Sequence, residues 1–379
     1  MENPFKNIFS FQKKSSSVLG IDIGSSAIKI VQLKKKGEKA VLETYGELAL
    51  GPYAGVEIGQ ATNLSNEKLY EALNDLMTEK EVNLSSNSAG MAIPFTSSLM
   101  SLIEMPLVSY DQLVVMIPLE ARKYIPVPIS EVTLDWSIIP KEENDVIRDD
   151  DAIEGDKDTK ERPKIKKTDV LLVAIHNETL AKYKELSRKT GLESSFFEIE
   201  IFSTMRSVLE EDQIPVMIFD MGAAATKLYI VERGIVRLSH TINRGSQDIT
   251  TMVSKSLGIP MAQAEIVKRG SGILSGGTAD IRNVVHLSLD YIFSEANQVV
   301  LNYQRKYGKT IGKIVMVGGG SALKGLSELA QSSFQTPVVA GNPFAKTEAP
   351  AFLDKILQET GPEFAVAVGV ALRKLQELE

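Results

Sequence analysis

Two segments of the sequence repeat one pattern of residues that is suited to binding phosphate. Residues 22–29 and 220–227 both read D-x-G-x-x-A-x-K, and an apolar run stands on each side of each segment. Glycine and small residues in such a turn let backbone amides approach anionic oxygens, while a lysine adds a cation. The repetition predicts two phosphate-binding turns that face one ligand. Their predicted contact residues are Asp22, Gly24, Ser25, Ser26 and Lys29 in the first turn and Asp220, Gly222, Ala223 and Thr226 in the second.

The two aspartates indicate that a metal ion accompanies the phosphate. A bare carboxylate repels phosphate, so the pair favours Mg²⁺ held by Asp22 and Asp220 through its bound water. An alternative explanation needs no ligand, because each aspartate could cap a tight hairpin and each glycine could supply a positive φ angle. The repetition of the pattern favours the phosphate site.

A third segment adds a glycine-rich turn after a strand-like run. IVMVGGGSALKG places Gly318, Gly319 and Gly320 between a predicted strand and a helix predicted over 322–331. Backbone amides at the start of such a helix would lie beside the ligand. The spacing differs from the G-x-G-x-x-G of a Rossmann unit, and the sequence contains no G-x-x-x-x-G-K-[ST], which excludes a P-loop.

Glu265 and Lys268 are a further candidate pair on a predicted helix. They stand three residues apart, so both side chains project from one face and could reach the ribose hydroxyls of a nucleotide or each other. The alternative is a surface ion pair, which contributes little to stability.

The elements that must position these residues alternate between strands and helices. Apolar runs that end at Gly24 and Gly222 predict strands, and leucines at helical spacing predict a helix over 66–79. The chain of 379 residues is long enough for two or three domains. The order of elements predicts the α/β class, with a βββαβα-type unit present in two copies.

Composition excludes several other classes of protein. The formal net charge of −7 argues against nucleic acid as a partner, and the absence of cysteine excludes disulfides and thiolate chemistry. No uncharged apolar run reaches the length of about 20 residues that a membrane span needs. The opening residues MENPFKNIFSFQKK lack the apolar region of a secretory signal, so we expect a cytoplasmic protein.

Together these segments resemble the actin-like ATPase superfamily, which includes actin, sugar kinases, chaperone ATPases and the division protein FtsA. The resemblance implies ATP with Mg²⁺ as the ligand, bound by residues 22–29 and 220–227 at the phosphates and by 317–320 at the adenosine. It also implies that Glu265 and Lys268 contact the ribose. Glu200, just before the second phosphate strand, resembles the residue that orients the attacking water and is the candidate catalytic residue.

The implied fold has two lobes of duplicated mixed-sheet domains, an inserted α+β subdomain and a helical subdomain. The boundaries we predict are an N-terminal tail 1–17, a first-lobe core 18–96 and 193–213, an inserted subdomain 97–192, a second-lobe core 214–245 and 312–379, and a helical subdomain 246–311. Charged residues dominate 141–168, within the inserted subdomain, so we expect a disordered loop there.

Within the superfamily the sequence most resembles the PilM family of type IV pilus assembly proteins. The segments that carry this resemblance are LGIDIGSSAIKIVQL, EMP, EARKYIPVPISEVTLDWSII, IVMVGGGSALKGL, GNPF and FAVAVGVALR. The resemblance implies an ATP-binding scaffold at the inner face of the cytoplasmic membrane, in a platform with PilN and PilO. It further implies that the N-terminal peptide of PilN binds a groove between the first-lobe core and the inserted subdomain. Self-association is left open.

Departures from the superfamily pattern bear on turnover, and two other functions stay open. Alanine at 223 and 224 removes polar side chains that could hold water or metal, so we expect nucleotide binding with slow hydrolysis or none. An FtsA-like, filament-forming division protein would need a C-terminal amphipathic helix, whereas ALRKLQELE continues a predicted core helix. A small-metabolite kinase would need an acidic base in a polar pocket, and the predicted helical subdomain offers no obvious polar cluster.

Overall fold

The computed structural model of the chain describes residues 16–139, 167–210, 214–272 and 279–378. Its strands are β1 Ser17–Ile23, β2 Ala27–Lys36, β3 Lys39–Ala49, β4 Ser88–Ile93, β5 Ser98–Pro106, β6 Val132–Ile139, β7 Lys167–His176, β8 Glu193–Ile199, β9 Val216–Met221, β10 Thr226–Glu232, β11 Ile235–Ile242, β12 Lys313–Val317 and β13 Val338–Ala340. Its α-helices are α1 Asn66–Thr78, α2 Tyr110–Ala121, α3 Asn177–Lys189, α4 Glu200–Val208, α5 Ser246–Leu257, α6 Met261–Ser271, α7 Ala279–Tyr307, α8 Leu326–Phe334, α9 Asp354–Thr360 and α10 Ala365–Gln376.

Two five-stranded sheets share one topology and form the cores of two lobes. The order is β3-β2-β1-β4-β8 in the first sheet and β11-β10-β9-β12-β13 in the second. In each sheet the first three strands of the unit run antiparallel, and the next strand joins the first in parallel. β1 and β9 are buried along nearly their whole length, which explains their continuous apolar runs. The α/β class and the two mixed-sheet lobes predicted from the repeat are confirmed.

Helices α4 and α10 each cross from one lobe to the other. α4 follows β8 of the first sheet, yet its Ile201 belongs to a buried cluster with Ile218 of the second sheet. α10 follows the strands of the second sheet, yet its Ala371 packs in a cluster with Val31 of the first sheet. Each sheet is therefore covered by a helix that comes from the other lobe.

Close backbone contact fixes this crossing. A Cβ atom added at Gly369 in α10 would lie 1.8 Å from the carbonyl oxygen of Ser203 in α4. One added at Gly20 in β1 would lie 2.0 Å from the carbonyl oxygen of Ala367 in α10. Because atoms cannot approach so closely, only glycine allows the two helices and the strand to pack as they do.

A third, antiparallel sheet with the order β5-β7-β6 forms the core of the inserted subdomain together with α2. β6 pairs with β7 in antiparallel fashion, whereas α3 packs elsewhere. Tyr183 and Leu186 of α3 are buried in the core cluster of the first lobe. The domain boundaries stay a prediction. Packing places α3 against the first-lobe core, α4 against the second sheet and α10 against the first sheet.

Helices α5, α6 and α7 pack beneath the second sheet, where Ile249, Leu289 and Phe293 share one buried cluster with Phe219 of β9. This helical layer supplies α5 and α6, the two helices that face the space between the lobes. None of the helices in the described ranges combines the length and apolar character that crossing a bilayer requires.

The prediction for the segment after β12 is wrong in one respect. Residues 319–322 form a short 3₁₀ turn, and α8 begins only at Leu326. Gly325, just before α8, has a φ of 84°, so the chain reverses between the turn and the helix. The glycines therefore lead into a 3₁₀ turn and not directly into an α-helix.

Two predicted segments lie almost wholly outside the described residues. Of the predicted tail 1–17, only residues 16 and 17 are described, and of the predicted loop 141–168, only residues 167 and 168.

Candidate functional site

A cleft between the two lobes brings the sequence-predicted residues together. Its volume is about 640 Å³, within the usual range for a site that binds a cofactor or nucleotide. The predicted residues that line it are Asp22, Gly24, Ser25, Ser26, Lys29, Glu200, Asp220, Gly222, Ala223, Glu265, Lys268, Gly318, Gly319 and Gly320. Thr226 is the one predicted contact residue that does not line the cleft.

The two phosphate-type turns have the same hydrogen bonds and the same strand register. The amide of Gly24 donates to the carbonyl of Ala27 at 3.0 Å, and the amide of Gly222 donates to that of Ala225 at 3.0 Å. Asp22 pairs with Lys29 across β1 and β2, as Asp220 pairs with Lys227 across β9 and β10. The sequence repeat is therefore also a repeat of backbone geometry.

The alternative explanation of the glycines in these turns is wrong. Neither Gly24 nor Gly222 has a positive φ angle. A Cβ atom at Gly222 would instead lie 3.0 Å from the carbonyl oxygen of Ala225 in its own turn. The tight backbone of the turn therefore leaves little room for a side chain at this position.

The triple-glycine turn packs directly against the second of these turns. Gly318 has a φ of 84°, and a Cβ atom there would lie 2.5 Å from Oδ1 of Asp220. Its amide donates to the carbonyl of Pro362 at 2.9 Å. A side chain at 318 would displace the Asp220 carboxylate, so this glycine holds the turn and the aspartate at one end of the cleft.

Burial makes Asp22 an unusual carboxylate. It raises the pKa of Asp22 to about 7, and the charge of Lys29 only partly opposes that rise. The carboxylates of Glu200 and Asp220 raise the pKa further, while Lys227 lowers it. Asp22 therefore exchanges its proton near neutral pH, and a cation in the cleft would favour its ionised form.

Glu200 lies at the first turn of α4 with both of its oxygens occupied. Oε1 accepts a hydrogen bond from the amide of Phe95 at 2.6 Å. Oε2 accepts one from Nζ of Lys227 at 2.7 Å. These two hydrogen bonds fix the orientation of the carboxylate, and each oxygen keeps a further acceptor position.

The pair of Glu265 and Lys268 is buried at the opposite wall of the cleft. Nζ of Lys268 lies 2.7 Å from Oε2 of Glu265, and the two residues are only 7 and 8 % exposed. Thr250 donates to the same carboxylate oxygen at 2.7 Å, and Arg269 donates to the other at 2.7 Å. The pair is therefore not a surface ion pair.

A loop of the first lobe reaches this buried pair. A Cβ atom at Gly59 would lie 3.1 Å from the carboxyl carbon of Glu265. Beside it, the amide of Ala61 donates to the side chain of Gln247 in α5. The cleft is thus bridged at its rim by contacts between the first lobe and the helical layer.

Thr226 has a structural role that the sequence pattern did not predict. It is fully buried, and its hydroxyl donates to the carbonyl of Arg244 at 2.9 Å. That bond ties the start of β10 to the segment before α5 and directs the side chain away from the cleft. The prediction of Thr226 as a contact residue is corrected accordingly.

Six charged residues of the cleft were missed as site residues. They are Glu47, Lys182, Lys227, Arg269, Glu359 and Glu363. The repeat itself carried the signal for Lys227, which matches Lys29 in the first copy. The other five lie on elements brought in by the fold, and no local pattern marks them.

The carboxylates of the cleft fit Mg²⁺ of the kind that accompanies phosphate. Among the described residues, no group of three or more His, Cys, Asp or Glu side chains converges as a metal site. Asp22 and Asp220 nevertheless line the phosphate end, and Mg²⁺ commonly binds through one or two carboxylates, waters and the phosphates of its ligand. These two residues would hold the ion, which would neutralise phosphate charge.

A second surface feature lies on the inserted subdomain. Large apolar side chains are exposed there, and Val115 is 67 % and Leu119 58 % exposed. We call this set the apolar face; its residues are Leu107, Tyr110, Val114, Val115, Leu119, Tyr124 and Ile138. The apolar residues of α2 thus lie on both its buried side and its exposed side, a pattern typical of a helix that has a partner on each side.

Comparison with solved structures supports the fold. The chain superposes on a chain of the PilM-PilN type IV pilus biogenesis complex with a TM-score of 0.76 and 22% identity, over 94% of this chain and 98% of that one. It also superposes on MreB5 of Spiroplasma citri bound to AMPPNP, with a TM-score of 0.52 and 11% identity, over 96% and 97% of the two chains. The predicted actin-like ATPase fold is confirmed.

Comparison with curated proteins finds cell division protein FtsA. FtsA of Neisseria meningitidis serogroup B is 25% identical over 206 residues, or 48% of each chain, and FtsA of Pseudomonas aeruginosa is 25% identical over 213 residues, or 50% of each. The chain spans about half the length of these curated relatives.

The family model described as type IV pilus assembly protein PilM matches residues 20–154 and 156–375. That match includes both phosphate-type turns, the triple-glycine turn and the whole inserted sheet. The chain therefore belongs to the PilM family of type IV pilus assembly proteins.

Proposed function

We propose that this protein is a nucleotide-binding scaffold of the type IV pilus inner-membrane platform. In this proposal the cleft binds ATP with Mg²⁺, and the inserted subdomain binds the N-terminal peptide of a PilN-type protein. The observation that carries the proposal is the convergence of two matching turns and the triple-glycine turn on one cavity.

The shape and chemistry of the cleft support a nucleotide as its ligand. Backbone amides of both turns and the side chains of Ser25 and Ser26 supply donors for phosphate oxygens at one end. The glycines at 318–320 leave a wall without side chains, against which a flat base can lie. Glu265 and Lys268 are buried on the side where a ribose would lie, with donors and acceptors already fixed in place.

The proposal includes slow turnover or none. Glu200, the candidate catalytic residue, is paired with the ammonium of Lys227, which makes its carboxylate a weaker base towards an attacking water. Ala223 and Ala224 bring no polar side chain to the second turn. The nucleotide would then act mainly as a clamp that holds the two lobes together. Its binding would shift the population of the protein towards the conformation that binds the nucleotide more tightly.

Membership of the PilM family and the apolar face support a peptide partner. A PilM-PilN complex is known for a protein of the same fold. The apolar face offers exposed side chains of the type that captures an apolar or amphipathic peptide. The partner would hold the protein at the inner face of the cytoplasmic membrane, in a platform with PilN and PilO.

Calorimetric titration with ATP in the presence of Mg²⁺ tests the nucleotide site. The wild type should bind, and Asp22→Ala and Gly319→Asp should each abolish detectable binding. A side chain fits at 319, since an added Cβ would have only Oε2 of Glu363 near it, at 3.6 Å, so Gly319→Asp places a carboxylate in the cleft without a clash.

Asp354→Ala serves as the matched control for this titration. Asp354 is exposed at the start of α9 and does not line the cleft, so its removal should leave the affinity unchanged. Equal affinities for all four proteins would contradict the assignment of the cleft.

Thermal denaturation with a synthetic PilN N-terminal peptide tests the partner. A ligand of the native state raises Tm by mass action, so saturating peptide should raise the Tm of the wild type. Val115→Lys with Leu119→Lys should remove this shift without lowering the Tm of the free protein, because both side chains are exposed.

The control for the peptide experiment is Phe352→Lys. Phe352 is 80% exposed and lies outside the inserted subdomain, so the shift should persist in this variant. The absence of any shift in the wild type would refute the peptide partner. A shift that survives the double substitution would refute the role of the apolar face.

A further inference from the structure

Lys227 lies between two buried carboxylates at the phosphate end of the cleft. Its Nζ is 2.7 Å from Oε2 of Glu200 and 3.4 Å from Oδ2 of Asp220. The side chains of all three residues are at most 16% exposed. Burial lowers the pKa of Lys227, but the two carboxylates outweigh it and raise the pKa well above its usual value. Lys227 is therefore a fixed positive charge.

The lysine at the matching position of the first turn has a different environment. Nζ of Lys29 lies 3.5 Å from Oε1 of Glu47, its cross-strand neighbour in β3. The two copies share the backbone turn and the cross-strand pairing with aspartate, but they place the ammonium groups differently. Only the second copy puts an ammonium group between an aspartate of the cleft and Glu200.

This arrangement changes the charge that a phosphate group would meet. The ammonium of Lys227 offsets one of the two negative charges of Asp220 and Glu200, and the amide of Phe95 donates a further hydrogen bond to Glu200. The protein itself thus already reduces the repulsion between these carboxylates and a phosphate group, which a metal ion would otherwise have to offset.

We propose that Lys227 is a built-in counter-charge, so that this protein binds ATP with an affinity that depends only weakly on Mg²⁺. The inference rests on the proposed nucleotide site and specifies its metal requirement. Lys227 is a positioning residue in this proposal, since it acts on the phosphates through the charge of Asp220.

The test is calorimetric titration of the full chain with ATP in two buffers, one with Mg²⁺ and one with EDTA. The affinities of the wild type for ATP in the two buffers should differ by less than about tenfold. When the metal ion is removed one charge-assisted interaction is lost, and Lys227 already supplies an interaction of similar size. Lys227→Met should widen the ratio of the two affinities by about tenfold or more, mostly through weaker binding in EDTA.

The matched control is Lys182→Gln. Lys182 also lines the cleft but takes no part in the ion pairs of Glu200 and Asp220. Its substitution should leave the ratio at the wild-type value. A ratio that widens equally in this variant would overturn the specific role of Lys227.

The outcomes separate this inference from the proposed function. Wild-type protein that binds ATP only with Mg²⁺ overturns the inference and leaves the nucleotide site intact. Folded wild-type protein that binds in neither buffer overturns the proposed function itself. The wild-type titrations decide the matter even if Lys227→Met fails to fold, because the weak metal dependence is expected of the native sequence.

Discussion

At the residue scale, Asp22 has opposite effects on two properties: its ionised carboxylate lowers the stability of the free protein but supports ligand binding. Its carboxylate is partly buried at the end of β1 near other acidic groups, and desolvation raises its pKa to about 7. A carboxyl whose pKa is higher in the folded state than in the unfolded state stabilises the fold at low pH. This stabilisation is lost as the pH rises through 7. A site that binds a charged ligand has to work near the same pH.

Asp22→Asn should therefore stabilise the free protein while it weakens the site. At about pH 8 its Tm should exceed that of the wild type, and the difference should shrink as the pH falls through 7, because the wild-type carboxyl then becomes neutral in the folded state. Affinity for ATP with Mg²⁺ should fall, because the amide carries no charge. Denaturation curves across this pH range check the first expectation, and a variant less stable than the wild type at every pH would contradict it.

Most site residues could be predicted because they belong to short repeated patterns. Asp22, Asp220 and the glycines of the turns are set by local sequence, so the pattern places them correctly. The direction of the Thr226 side chain depends on a carbonyl 18 residues further along the chain, at Arg244. The ion pair of Lys227 with Glu200 depends on α4, and no local pattern contains that information.

At the scale of elements, a buried carboxylate fastens α4 and α10 to the first sheet. Glu198 of β8 accepts two hydrogen bonds from Arg206 of α4, at 2.7 and 2.8 Å, and one from Arg373 of α10 at 2.9 Å. Burial raises the pKa of Glu198, but Arg206 and its other donors outweigh it and lower the pKa. The ion pairs therefore hold three elements at one point.

Glu198→Gln should destabilise the protein by about 3 kcal/mol, since it leaves two arginines without a buried charge partner. A carboxylate with a lowered pKa stabilises the fold above its usual titration range, so the difference from the wild type should diminish as the pH falls below about 4. Urea denaturation at several pH values measures both effects.

Glu185→Gln is the control for this prediction. Glu185 pairs with Lys189 at 2.9 Å on the exposed side of α3, and such a pair contributes less than about 1 kcal/mol. Equal destabilisation by the two substitutions would show that Glu198 does not fasten the helices.

At the scale of the whole molecule, the exchange of α4 and α10 joins the two lobes. The contact between Gly369 and Ser203 lies where the two helices meet, below the cleft. Sequence repeats predicted the matching sheets, because each copy carries its own strand pattern. They could not predict the exchange, which depends on packing between segments more than 150 residues apart.

Gly369→Ala should destabilise the protein by about 3 kcal/mol or more, because the new methyl group overlaps the backbone of α4. Both lobes should lose stability in one transition, which is observable by calorimetry. Gly270→Ala is the matched control: it lies in α6 with no atom within 4 Å of the added Cβ, and helix propensity favours alanine there. A loss of stability that is equal in the two variants would contradict the tight crossing.

The exchanged helices also determine how the chain can be divided. A fragment that ends after α4 would carry the first sheet without its cover from α10, and the remaining fragment would carry the second sheet without α4. Each piece alone would present a bare apolar sheet to water and would aggregate. Produced together, the two pieces should reassemble by complementation, since each brings the helix that the other lacks.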